Sequence, residues 1–259
     1  MPEPAGRPSI PDGSRSDRSA GSKNPNWLGR RMASEREPFF TADLFQFLRE
    51  LTQHNDRAWF QANKGRYEAA VLQPSVRFVR EMGPRLAALS PRIVADPRPF
   101  GGSVARIYRD TRFSKDKTPY RTNVGIHFAH EMSATAEEHL PGFYLHLAPG
   151  ENEVYSGVWH PTPPGLARIR DAIVSDPKGW TRVRAKCPPS GGESYVRVPS
   201  GYAPDHRFAE DLRRKDFFAG ASFQESAVTS AAFGASFVAA CTRLDPLNRF
   251  LAKALQVPW

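Results

Sequence analysis

The sequence predicts an α+β fold: an antiparallel sheet of four or more strands, packed with N-terminal and C-terminal helices. Three observations carry this. Apolar residues recur at helical spacing in the first third of the folded part and again towards the end. Between those regions the apolar period drops to two, the signature of half-buried strands. Turn-forming residues, not helices, separate the strand candidates, so a meander is expected in place of a doubly wound parallel sheet.

The elements follow in chain order. Residues 1–37 are dense in Pro, Gly, Ser and Arg, with Ile10, Trp27, Leu28 and Met32 the only large apolar residues after Met1, and are expected to form a disordered tail. Met32, just ahead of the first patterned helix, offers an alternative start that N-terminal mass spectrometry would detect. Residues 38–259 are expected to form one α+β domain, large enough to bury a core without disulfides or metals. A first helix is expected from Thr41 to Gln53, with Leu44, Phe45, Phe47, Leu48 and Leu51 on one face. Asp56 is placed to cap a second helix carrying Trp59, Phe60, Asn63 and Tyr67. Trp59, Phe60 and Tyr67 fit core and groove wall better than a base-stacking platform. Pro74 opens a third helix with Val76, Phe78, Val79, Met82 and Leu86 inward. Strands are expected at Val104–Tyr108, Val124–Ala129, Gly142–Ala148 and Glu153–Trp159, with a further one at Ser194–Val198. Helices are expected at Pro164–Val174, Phe208–Phe218 and about Ser222–Leu255, the last interrupted near Pro246.

Composition bounds the function. The net charge is +9 and the pI about 9.8. Such a balance favours anionic partners: nucleic acid, phosphorylated metabolites or membrane headgroups. Cys187 and Cys241 form no C-x-x-C pair, which argues against a thiolate zinc site and suits a reducing, cytoplasmic setting. No apolar run is long enough to span a bilayer, so no membrane association is expected. Neither a G-x-x-x-x-G-K-[ST] loop nor G-x-G-x-x-G, G-x-S-x-G or H-E-x-x-H occurs. No cofactor and no metal site is expected.

The chemical signal is concentrated in residues 106–121, RIYRDTRFSKDKTPYR, which hold six of the chain's 36 Lys and Arg in sixteen positions. A strand leading into a loop lets Arg106, Arg109, Arg112, Lys115, Lys117 and Arg121 converge, and guanidinium groups grip phosphate or carboxylate through paired hydrogen bonds. Tyr120 would wall such a site. Three readings stay open. The first is a module binding an anionic small molecule or a nucleic-acid backbone. The second is an enzyme on a phosphate or carboxylate substrate, with Asp110 or His146 as acid or base. The third is a structural or partner-binding protein whose charged motif is an ion-pair framework. His127, Tyr144 and His146 fall opposite the apolar residues of their strands and would share a polar surface if those strands are neighbours.

The run Arg106-Ile-Tyr-Arg-Asp-Thr-Arg-Phe-Ser-Lys-Asp-Lys-Thr-Pro-Tyr-Arg-Thr-Asn123 resembles the signature of a microbial protein family, domain of unknown function 2461. Phe47-Leu48, His54-Asn-Asp-Arg-Ala-Trp-Phe60 with Asn63, Lys64 and Tyr67, Gly142-Phe-Tyr-Leu-His146 and Gly157-Val-Trp-His-Pro161 are similar to other parts of it. The resemblance spans about residues 39–255. It implies that Arg109, Asp110, Arg112, Phe113, Lys117, Pro119 and Tyr120 act as a unit, and implies no reaction, substrate or cofactor.

Overall fold

A computed structural model describes residues 37–259; the expected tail, and Met32 with it, lies outside the described residues apart from Glu37. Helix α1 (Ala42–Gln53) buries the five apolar residues its spacing marks out. Thr41 holds the N-cap position, but its hydroxyl bonds Asp43 and leaves the helix N–H groups uncapped. Asp56 does cap α2 (Arg57–Ala62), accepting from the Trp59 N–H at 2.9 Å. After α3 (Lys64–Tyr67), a π-helical turn at Glu68–Leu72 leads into α4 (Gln73–Ala87), which carries Pro74 in its first turn.

Five strands form one antiparallel sheet in sequential order: β1 (Ile93–Val94), β2 (Val124–His130), β3 (Gly142–Ala148), β4 (Glu151–Val158) and β5 (Phe217–Ser222). Strands β3 and β4 are joined by Pro149-Gly150, where Gly150 takes φ +82° for the tight reversal. Between β4 and β5 lie α5 (Pro163–Ser175), α6 (Pro177–Lys186) and α7 (Ala209–Arg213). The short α8 (Glu225–Val228) and the long α9 (Phe233–Leu255) close the chain.

The core lies between one sheet face and the helices. Ile126, Phe128, Phe143, Leu145, Leu147 and Val154 are buried there. Helix α9 runs beneath them: Phe237 packs on Phe128 at 5.5 Å, the Ser156 hydroxyl donates to Leu244 O, and Asn248 Nδ2 donates to Gly142 O. Trp180 of α6 is fully buried, with its indole N–H on the buried Asp211 at 2.9 Å. Among the described residues no helix is long and apolar enough to cross a membrane.

Four expectations are corrected. Val104–Tyr108 is not a strand; it makes only isolated bridges, Val104 to Ile126 and Tyr108 to Tyr120. Between the pairs Ala105/Gly125 and Ile107/Arg121 one side advances two residues and the other four, so the ladder breaks. Ser194–Val198 likewise contributes a single bridge, Ser194 to Arg214. Helix Phe208–Phe218 shrinks to α7, because Phe217–Ser222 pairs along the otherwise bare edge of β4. A short apolar run such as Phe-Phe-Ala-Gly-Ala has no decisive period, and tertiary pairing decides it. The expected Ser222–Leu255 helix therefore begins later, and α9 continues through Pro246 without interruption. The proline costs about 3 kcal/mol; burial of Leu244, Leu247, Phe250 and Leu251 on either side outweighs it.

Candidate functional site

The charged segment is an irregular hairpin held at its base from outside. The side chain of Asn55, in the turn between α1 and α2, grips the backbone of Tyr120 at both ends: Nδ2 donates to Tyr120 O (2.9 Å), and Oδ1 accepts from Tyr120 N (3.0 Å). The Tyr120 ring is buried and stacks on Phe60 at 4.1 Å. This ring is thus an anchor beneath the hairpin. Asn55→Ala strands a backbone donor and a backbone acceptor, and should lower stability by about 1–3 kcal/mol. Thermal denaturation together with limited proteolysis of the tip checks this; unchanged melting and unchanged cleavage would remove Asn55 as the anchor.

Most cations of the tip are taken up inside it. Arg109 pairs with Asp116 (2.5 Å) and with the Thr118 hydroxyl. Arg112 lies along Asp110 with both Nε and Nη2 in reach. Lys117 Nζ donates to Thr111 O at 2.8 Å. The Thr118 backbone N–H, then Arg109, pull Asp116 down to about 2, and the Arg112 side chain likewise holds Asp110 below the usual carboxylate range. A carboxylate so stabilised is a poor base near neutral pH. Phe113 stands almost fully in solvent beneath the Arg112 guanidinium. Arg106 and Lys115 are exposed, and neither forms an ion pair among the described residues.

Arg121 belongs to a different surface. Thr122 and Asn123 lie in the break of the ladder, and the Arg121 charge reaches His127 and Tyr144. Across the sheet His127 lies directly opposite Tyr144, ring centroids 4.4 Å apart, and Asn123 Nδ2 sits 3.4 Å from His146 Nδ1. His127 keeps an exposed edge, yet the groups crowding it, and after them the Arg121 guanidinium, lower its pKa. Burial lowers that of His146, against the opposing pull of Glu151 and Glu153. Burial raises the Tyr144 phenol, while Arg121 and Asn123 act the other way. His127, Tyr144 and His146 therefore share one face, as the strand periodicity predicts, and Arg121, expected to converge with the other loop cations, acts electrostatically on that face instead; Arg109, Arg112 and Lys117 are paired within the hairpin, with Arg112 and Lys117 still exposed, and Tyr120 lies underneath.

A groove of about 640 Å³ continues across this open face, floored by Tyr144 and Tyr155 and walled by His127, His139, Trp159 and Phe218. Its lining includes neither Asp110 nor His146. Among the described residues no three His, Cys, Asp or Glu side chains cluster as a metal site.

A family of conserved hypothetical proteins, DUF2461, matches residues 43–250. The chain belongs to this family. No curated protein and no solved structure matches it.

In this DUF2461 member the groove is the part that the sequence hid best. Tyr155 sits in the expected strand beside Tyr144 of β3, but its other neighbour, Gly220, comes from β5, where the end of one helix and the start of another were expected. His139 lies in a loop with no pattern. Asn55 carried one signal: it stands in the run His54–Phe60 that resembles the family.

Proposed function

We propose that this DUF2461 member is a binding module for an anion-bearing ligand, with the open sheet face as the site and Arg121 as the cation that meets the charge. The observation that carries this reading is the convergence of Arg121, Asn123, His127, Tyr144 and His146 on one surface, with Arg121 close enough to bias the titration of both His127 and Tyr144. Arg106 and Lys115 add positive potential along the hairpin. The buried thiols of Cys187 and Cys241 fit a reducing, cytoplasmic setting.

The test is calorimetric titration with inorganic phosphate, sugar phosphates, nucleotides and dicarboxylates at low salt. Arg121→Ala should weaken binding roughly ten- to a hundredfold, the worth of a lost hydrogen bond to a charged group. Arg112→Ala, whose guanidinium is already held by Asp110, should leave it unchanged. No binding to wild type, or equal loss in both variants, overturns the reading.

The pH dependence has a worked sign. His127 and His146 titrate below the ordinary value of 6.5 in the folded chain, so the unfolded chain takes up protons first as pH falls. Unliganded stability from these two groups is complete above 6.5 and declines below it. An anion favours the protonated rings, so affinity should rise as the pH falls below 6.5. Melting temperature and affinity should thus move in opposite directions, and the double variant His127→Gln/His146→Gln should flatten both profiles.

A further inference from the structure

We infer that the groove beside this site takes a flat heteroaromatic ring, so that the ligand is a nucleotide unit: base on the Tyr144–Tyr155 floor, phosphate towards Arg121. The inference rests on the anion-site reading and adds the chemistry of the rest of the ligand.

The floor is built to be flat. Tyr144 and Tyr155 are direct cross-strand partners, and their rings lie within 19° of parallel with centroids 6.5 Å apart. They lean away from each other, each over a glycine of the outer neighbouring strand. A Cβ at Gly125 would stand 2.6 Å from the Tyr144 hydroxyl, and one at Gly220 would stand 3.1 Å from the Tyr155 ring. Glycine at both positions lets the two phenols lie down on the sheet and present their outer faces to solvent. A larger residue would stand them upright and fill the groove.

The far wall is also held in place at a cost. Trp159 stacks on Phe218 at 4.8 Å, yet 55% of its surface is exposed. The next residue, His160, is in the left-handed region at φ 50°, a conformation that a residue with a Cβ rarely adopts. The buried Asp216 fixes it by accepting from the His160 N–H at 2.8 Å, and a His139 ring nitrogen bonds the Trp159 carbonyl at 2.7 Å. Backbone strain kept this way, next to an exposed indole, is characteristic of binding sites. The result is a mainly apolar slot with aromatic floor and wall; Glu138 is in its lining, and Arg121 lies outside the lining but near enough for its charge to act on Tyr144 and His127. A volume of about 640 Å³ is in the range of small-ligand sites. Bases stack on such rings with little regard to sequence, and the nearby Arg121 charge complements a phosphate.

The experiment compares adenosine monophosphate, adenosine, ribose 5-phosphate and a short single-stranded oligothymidylate on the full chain by calorimetry. Variants are Tyr155→Leu, Tyr155→Phe and Arg121→Ala, each checked for wild-type melting. Adenosine monophosphate should bind about 5- to 100-fold more tightly than ribose 5-phosphate, the range expected for one stacked base. Tyr155→Leu should erase that advantage and Tyr155→Phe should keep it. If the two phosphates bind alike and Tyr155→Leu changes nothing, the base slot is wrong while the anion site stands. If Arg121→Ala changes no binding, the anion site itself fails. Tighter binding of the oligothymidylate with a steep salt dependence identifies a strand as the source of the unit, and equal binding per unit identifies a free nucleotide.

Discussion

Gly157→Ala should unseat the β4–β5 seam. Gly157 has φ +130°, outside the range that a residue with a side chain adopts without strain. A Cβ there would overlap the Phe217 carbonyl oxygen and lie 2.7 Å from the Phe218 Cα. Both obstacles are backbone atoms of the paired strand, so no rotamer change relieves them. The dihedral alone costs about 1–3 kcal/mol, and the collision adds to it, so a loss of at least about 2–4 kcal/mol is expected. The site should suffer with the fold, because Phe218 faces Gly157 across the ladder and supports Trp159. Urea denaturation gives the stability, and hydrogen exchange at the β5 amides reports the seam. A variant with wild-type midpoint and wild-type protection would show that the seam tolerates a side chain here.

Phe78→Ala should be the most damaging single truncation in the core. Phe78 of α4 is fully buried and lies within aromatic contact distance of Phe39, Phe40, Phe128, Phe233 and Phe237. One ring therefore joins the N-terminal segment, the sheet and α9. Removing a buried Phe costs about 3–5 kcal/mol, a large part of the 5–15 kcal/mol typical of a folded domain. The denaturation midpoint should fall with little change in the slope, and Phe78→Leu should recover much of the loss. A loss under about 1 kcal/mol would mean that the neighbouring rings collapse into the space.

Legibility of the fold in the sequence tracked periodicity. Val124 to Ala129 alternates cleanly around Gly125 and His127, and it forms β2 almost residue for residue. Gly142–Ala148 does the same for β3. Val104–Tyr108 also alternates, but a two-residue bulge across the ladder cannot be seen from one side of the pair. No helix was expected at 177–186, although Asp176-Pro177 followed by Trp180 and Val183 holds the N-cap, the first-turn proline and the i,i+3 pair of α6. For the site, the polar face of His127, Tyr144 and His146 was readable, because strand parity alone decides it once β2 and β3 are neighbours. The density of cations in 106–121 was readable too. The division of labour within it was not: Arg109 and Arg112 answer to carboxylates seven and two residues away, and the Arg121 charge acts on His127 and Tyr144.

The order of the strands has a consequence for how the molecule assembles. Strands β2 to β4 follow one another closely along the chain, so their pairings close short loops and can form early. Strand β5 must cross the whole α5–α7 excursion before it meets β4, and the entropy of closing that loop falls on a single seam. Tyr144 and Tyr155 are thus set down together by a local hairpin, whereas Phe218, and the Trp159 that leans on it, wait for the longest-range contact in the sheet. The slot is complete only when the last strand arrives, so a nascent chain can collapse around its core well before the Trp159 wall is in place.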